Sequence, residues 1–295
     1  MRVRAFAYRS ATPQLAFLEI GMPLFEDLEF SIDGHRVAYI EGGKGYPLLM
    51  IHGSGPGAST LGNWSRVLGP LSERYHVHAM DLIGFGKSDR KKSEPFFDLD
   101  LWIRQCKAML AKIPGEKVGI IAHSISASLA LQVAASESRV GQVLTTGAMG
   151  AKFTVNEGTV ACWTFPETRA DLKKAIGFLI NDKSLIDDAY LDARVKVLHE
   201  DPTYKDYFSR MFAGDRQRYA DQAIIDPSVL ARIKCPVTML HGRVDEPFPP
   251  ATTLKLADHI PQADVVLLAN CSHSVALERT DALLSAAHTL FPQPQ

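Results

Sequence analysis

The segment KVGIIAHSISASLALQVA (117–134) runs an apolar strand straight into a helix of small residues, with one serine, Ser124, at the junction. A chain that turns from strand to helix in a single residue brings the flanking backbones close together, so the positions two residues before and after must be small. Ala122 and Ser126 meet that requirement. Far downstream come an acid, Asp245, and then His273, each just after another apolar run. Unrelated folds place a serine, an acid and a histidine in different orders along the chain, so this order constrains the fold together with the chemistry. A helix N-cap is the alternative role for Ser124.

The rest of the chain alternates in the same way. EFSIDG (29–34) and HRVAYIEGG (35–43) surround an Asp-Gly turn and predict an antiparallel hairpin at the start of a sheet. PLLMIHG, HVHAMDLIGFGKSD, KVGIIAHS and VGQVLTTGAMG read as strands, with LGNWSRVLGPLSER, FDLDLWIRQCKAMLAKI and ISASLALQVAA as helices between them. From Ala151 the pattern changes to segments rich in aromatic and charged residues, which predicts a helical lid over 151–218 between core segments 25–150 and 219–295. The rhythm resumes in CPVTMLHG, ATTLKLADHI, ADVVLLAN and one last helix, VALERTDALLSAAHTLF. Nearly continuous apolar strands separated by amphipathic helices predict an α/β fold with a mostly parallel, eight-stranded sheet covered on both faces. Residues 1–24 read as an extension outside this core; their apolar stretch is broken by Glu19 and Pro23, which argues against a secretory signal.

Charge and cysteine usage narrow the partners. Lys+Arg (32) against Asp+Glu (33) leaves a net charge of -1 with no long basic run, so nucleic acid is not an expected partner. No apolar run approaches the roughly 18–20 residues of a spanning helix, and no membrane association is expected. Cys106, Cys162, Cys235 and Cys271 are scattered without a C-x-x-C, which fits free thiols and a cytoplasmic location. His76 and His78 share one strand face, but no third ligand lies near them in sequence and no H-E-x-x-H occurs, so neither a metal nor another cofactor is expected. A small molecule is the expected partner.

The glycine-rich stretch HGSGPGAS (52–59) directly follows the strand PLLMI. A loop there can aim backbone N–H groups at a developing oxyanion, and the donors are assigned to Ser54 and to Ile125, the residue after the serine. Asp245 lies in HGRVDEP and His273 in NCSHS, both after strands, at the end where open α/β sheets build their sites. Glu246 competes for the acid role; the spacing Gly242-Arg-Val-Asp245 favours its neighbour. Cys271, beside His273, reads as a core thiol. Four elements in the right order, each after a strand, make Ser124 a nucleophile with Asp245 and His273 as its partners.

LLMIHGSGPGASTLGNW (48–64), DLIGFGKSD (81–89) and SLIDDAYLDARVKVL (184–198) are similar to segments of the meta-cleavage product hydrolases, a branch of the α/β-hydrolases that cuts carbon–carbon bonds in ring-fission products of aromatic catabolism. The resemblance runs from about Phe25 to the C-terminus. It implies a 2-hydroxy-6-oxohexa-2,4-dienoate substrate with its carboxylate near Asn63 and Arg194, no cofactor, and a ketonisation step before Ser124 attacks C6. A planar guanidinium suits that carboxylate, although an arginine in such a helix can equally be an ordinary surface charge. Two positions depart from the family pattern: His123, a further candidate substrate contact, stands where asparagine is usual, and Ser274 where tryptophan is usual. The lid aromatics Trp163, Phe165, Phe178, Phe208 and Phe212 are expected either to line a compartment for the C6 substituent or to pack against the core. Dimers are common among the hydrolases resembled, but oligomeric state is not legible in the residues. An esterase or lactonase with the same three residues, and a ligand-sensing receptor of this fold with weak activity, remain as alternatives; serine at 124 excludes the aspartate-nucleophile members.

Overall fold

Asp33 and Gly34 both have positive φ (50° and 77°), as a two-residue hairpin turn demands, and they join β1 (Glu26–Ile32) to β2 (His35–Gly42) in antiparallel register. The computed structural model describes residues 25–293, so the 1–24 extension lies outside the described residues. The remaining strands are β3 (Tyr46–Ile51), β4 (Tyr75–Met80), β5 (Val118–His123), β6 (Val140–Thr146), β7 (Val237–Gly242) and β8 (Ala263–Leu268). They form one eight-stranded sheet in the order β1-β2-β4-β3-β5-β6-β7-β8, parallel from β4 to β8.

The helices follow the chain as α1 (Thr60–Ser72), α2 (Leu99–Lys112), α3 (Ile125–Ala134), α4 (Glu157–Cys162), α5 (Arg169–Leu179), α6 (Asp188–Glu200), α7 (Tyr204–Met211), α8 (Gln217–Gln222), α9 (Pro227–Leu230), α10 (Ala251–Ala257), α11 (Val275–Glu278) and α12 (Thr280–Leu290). Those from α4 to α9 all fall between β6 and β7. The last helix expected from sequence is two: Arg279 leaves the helical region at φ -134°. Just before it, the Glu278 carboxylate accepts the backbone N–H groups of Ser272, Asn181 and Asp182. These tertiary bonds fix the end of α11 where helical periodicity alone predicts continuation. Among the described residues no helix is long and apolar enough to cross a membrane.

Alternation along each strand feeds two cores. Leu49, Ile51, Ile120, Ala122 and Val143 pack on one face of the sheet, while Leu48, Met50, Ile121 and Leu144 pack on the other. The strand order reverses at β3 and β5, whose C-terminal residues Ile51 and Ala122 are register partners. That reversal opens a crevice at the carboxyl ends of the strands. The loop after β3 and the turn after β5 therefore face each other.

Close packing on this scaffold is tested by two glycines. A Cβ at Gly119 would lie 2.6 Å from the Phe291 ring and 2.7 Å from Leu48, whereas one at Gly177 in α5 would meet nothing within 4 Å. Gly119→Ala is expected to cost about 1–3 kcal/mol by overpacking, and Gly177→Ala to gain about 0.5–1 kcal/mol by restraining the unfolded helix. Urea unfolding of both variants measures the contrast.

Candidate active site

Ser124 sits between β5 and α3 with φ 60° and ψ -125°, a left-handed conformation rare for a residue with a side chain. Such strain costs on the order of 1–3 kcal/mol and persists only where the surroundings enforce it. Here its N–H donates to Thr146 O and its carbonyl accepts from Met149 and Ala127. The small neighbours have a specific use: Ala122 is buried against β3 and β6, and the Ser126 hydroxyl donates to His52 O on the glycine-rich loop. A serine at 126 thus ties together two backbones that a glycine there would only let approach. Gly53 completes the contact, since a Cβ there would lie 3.2 Å from Ser124 Cβ and 3.0 Å from His123 Cδ2.

The acid and the histidine meet at 2.7 Å, Asp245 Oδ2 to His273 Nδ1. Glu246 is exposed, while Asp245 is buried and also accepts the Phe248 N–H at 3.0 Å. His241, which the sequence reading passed over, lies 3.0 Å from the same Asp245 oxygen through Nε2, with Phe248 O at 2.8 Å and Thr253 Oγ1 at 2.7 Å from Nδ1. Because Phe248 O only accepts, Nε2 carries the proton and Nδ1 accepts from Thr253. Burial pushes the Asp245 carboxyl up, but the His273 charge and hydrogen bonds from His241 and His273 outweigh it and hold the group well below the usual carboxylate range. An ionised acid oriented in this way fixes the histidine's tautomer and ring orientation.

Ser124 and His273 are each 4% exposed. Ser124 Oγ lies 3.9 Å from Met149 Sδ, and among the described residues no hydrogen bond joins it to His273. Bonds of this kind often tighten only when substrate is present. Gly147, at φ 56°, makes room for the histidine, because a Cβ there would fall 2.8 Å from the His273 ring.

The loop after β3 is held from above by the helices between β6 and β7. The Trp163 indole N–H donates to Ser54 Oγ (3.2 Å), Gly57 N–H donates to the Tyr204 hydroxyl (3.0 Å), and Arg194 Nη2 donates to Pro56 O (3.0 Å). Among the described residues neither the Ser54 nor the Ile125 N–H has a protein acceptor. Arg194 forms no ion pair with a described carboxylate, and its guanidinium lies against Gly62, the residue before Asn63, where a Cβ would be 2.9 Å from Nη1. Asn63 is half-buried on α1. Trp163 stacks on Phe212 at 5.3 Å, Phe212 meets Phe208 at 5.0 Å, and Phe165 packs on Tyr204. Phe178 is half-buried, and its carbonyl accepts from Ser272. Ser274 donates its N–H to Leu179 O.

His123 lies between Trp64 and His273, with ring centroids 6.2 and 4.6 Å away, and its Nδ1 bonds Thr146 O (3.1 Å). That carbonyl assigns the proton to Nδ1 and leaves Nε2 as an acceptor. Burial, reinforced by the His273 charge, lowers its pKa well below the ordinary value of 6.5. The unfolded chain therefore binds a proton near pH 6.5 that the folded chain refuses, so this group's contribution to stability is constant above that pH and is lost progressively below it. His123→Asn should flatten the fall of Tm between about pH 7 and 5, leaving the parts due to His52, His78 and His288, also lowered by burial. Melting curves across that range check the slope. Gly147→Ala should lower turnover and, because a side chain is strained at φ 56° and meets the His273 ring, also lower Tm, read from kcat and melting curves.

The model of the alpha/beta hydrolase family matches residues 48–286. The chain is 29% identical to the 2-hydroxymuconate semialdehyde hydrolase of Pseudomonas sp. (strain CF600), over 83% of this chain and 86% of that one. It is 30% identical to a 2-hydroxy-6-oxononadienedioate/2-hydroxy-6-oxononatrienedioate hydrolase of Pseudomonas putida, over 79% and 83%. The fold superposes on the solved meta-cleavage product hydrolase CumD from Pseudomonas fluorescens IP01 with a TM-score of 0.85, at 28% identity, covering 90% of this chain and 97% of that one. The strained serine, the mostly parallel eight-stranded sheet and these matches agree: the chain belongs to the alpha/beta hydrolase family, in its meta-cleavage product hydrolase branch.

Proposed function

We propose that this chain hydrolyses the carbon–carbon bond of 2-hydroxy-6-oxohexa-2,4-dienoate-type meta-cleavage products, with Ser124 as nucleophile, His273 as general base and acid, and Asp245 as the group that orients His273. Relatives named for such substrates support the reaction class. The observation that carries the residue-level reading is the position of Arg194: a guanidinium without an acidic partner among the described residues roofs the loop that abuts Ser124. A dienoate carboxylate supplies the missing partner, with Asn63 beside it and His123 on the nucleophile's side.

The reaction then runs in balanced steps. Ketonisation moves the 2-hydroxyl proton to C5, with Arg194 holding the carboxylate and the 2-oxo oxygen. Ser124 Oγ attacks C6 as His273 takes its proton, and the Ser54 and Ile125 N–H groups receive the oxyanion. The C5–C6 bond breaks, its electron pair passes to the 2-oxo oxygen to give a dienolate, and that oxygen takes the proton from His273 to form 2-hydroxypentadienoate. Water, deprotonated by His273, releases the acyl group from Ser124 as a carboxylic acid.

Segment 151–218 acts as the lid, closing over Ser54 through Trp163, Arg194 and Tyr204. With Ser124 and His273 only 4% exposed, substrate entry requires these helices to move, and Trp163, Phe208 and Phe212 form the apolar wall for the C6 substituent. The four cysteines are free and buried, consistent with a cytoplasmic enzyme. For a homodimer, the outer strand β8 is available for edge pairing, with Val266 45% and Leu267 39% exposed on its two opposite faces.

Arg194→Ala should lower kcat/KM for a dienoate by about 10–100-fold, the worth of a charge-assisted hydrogen bond, while hydrolysis of a neutral aryl ester changes by less than about threefold. Equal losses on both substrates would remove the carboxylate role. Ser124→Ala should abolish both activities with the fold intact.

A further inference from the structure

At the other end of the sheet, three metal-binding side chains converge without any part in the chemistry above. The run Tyr75-His-Val-His78 alternates, so Tyr75, Val77 and Ala79 pack into one core while His76 and His78 point to the opposite face. On the neighbouring strand β2, Glu41 stands directly across from His78 in antiparallel register. The third donor that the sequence near the two histidines lacks is thus supplied by strand pairing, 35 positions away from His76.

The donor atoms are close enough to share one ion, and the shortest separation is also a His76–Glu41 hydrogen bond. Glu41 Oε1 lies 2.9 Å from His76 Nε2 and 3.7 Å from His78 Nε2, the two imidazole rings are 4.2 Å apart, and the three donor atoms all fall within 4.8 Å of one another. Donors bound tetrahedrally at about 2.0–2.1 Å stand roughly 3.3 Å apart, a value that the two measured separations bracket. His78 is the independent sign of an absent partner. Its side chain is 1% exposed, and among the described residues neither ring nitrogen has a hydrogen-bond partner. Buried polar atoms of this kind are rare in native proteins unless water or an ion meets them. A surface cleft of about 540 Å³, lined in part by Glu26, Glu41, Glu73 and His76, leads to the cluster and gives an ion a route in from solvent.

We propose that Glu41, His76 and His78 form a binding site for a divalent transition-metal ion, Zn²⁺ by preference, with its remaining position open to water. Two imidazoles and one carboxylate suit Zn²⁺ and its neighbours in the first transition row; Ca²⁺ and Mg²⁺ favour sets made of oxygen alone. The ion would clip β2 to β4. β2 joins the parallel part of the sheet through that one strand, in a register of four residue pairs from Tyr39 to Gly42. Binding to the folded chain alone then raises its stability.

The test is calorimetric titration of chelator-treated full-length protein with ZnCl₂, together with melting curves with and without the ion. The expected result is one Zn²⁺ per chain and a saturable rise in Tm. His76→Ala and Glu41→Gln should each weaken binding by at least about 10–100-fold and remove the rise, while aryl-ester turnover stays at the wild-type level. Because His76 and Glu41 are only partly buried, these variants keep the test valid even if His78→Ala misfolds. No binding by the wild type, or unchanged affinity in His76→Ala and Glu41→Gln, would overturn the proposal.

Discussion

The left-handed backbone of Ser124 is the constraint on which the site depends. A residue at φ 60° holds its place only if every neighbour leaves it no alternative, and here the neighbours come from the ends of two strands, β3 and β6. β6 accepts its N–H through Thr146, the loop after β3 is bonded by Ser126, and Met149 takes its carbonyl. The strand order places the ends of β3, β5 and β6 side by side, so the fold itself supplies these contacts. The same crowding accounts for Gly53 and Gly147, where an added Cβ would strike His123 or His273.

Charge is organised around Asp245. A buried carboxylate is costly unless fully bonded, and this one has His273 and His241 on one oxygen and the Phe248 N–H on the other. The His241 side chain is fixed in turn by Thr253, so the acid is anchored independently of the histidine that it orients. Above the site, Trp163, Arg194 and Tyr204 all bond the loop after β3. In the proposed mechanism, movement of those helices would alter the setting of the Ser54 N–H, which couples the proposed lid to the proposed oxyanion donors.

The sheet and the placing of Ser124, Asp245 and His273 just after its strands are legible in sequence because they rest on local signals: alternation for the strands, Asp33-Gly34 for the hairpin, small residues around Ser124 and a glycine-rich run after β3. What sequence does not reveal depends on contacts between distant segments. His241 is one of ten histidines until β7 and the turn after it set it against Asp245. Tyr204 and Trp163 become loop anchors only when the helices between β6 and β7 fold back over residues 54–57. The break at Arg279 follows from three backbone groups captured by Glu278, two of them nearly a hundred residues away. Glu41 likewise joins His76 and His78 only through the register of β2 on β4.

Rapid mixing of the wild-type enzyme with 6-phenyl and 6-methyl 2-hydroxy-6-oxohexa-2,4-dienoates, followed by absorbance and compared with turnover of an aryl acetate, tests the central claim most directly. Carbon–carbon hydrolysis predicts fast loss of dienoate absorbance with one carboxylic acid formed per dienoate consumed, at a rate well above ester cleavage. Brisk ester cleavage with the dienoates left intact would contradict it and make this an esterase built on the same serine.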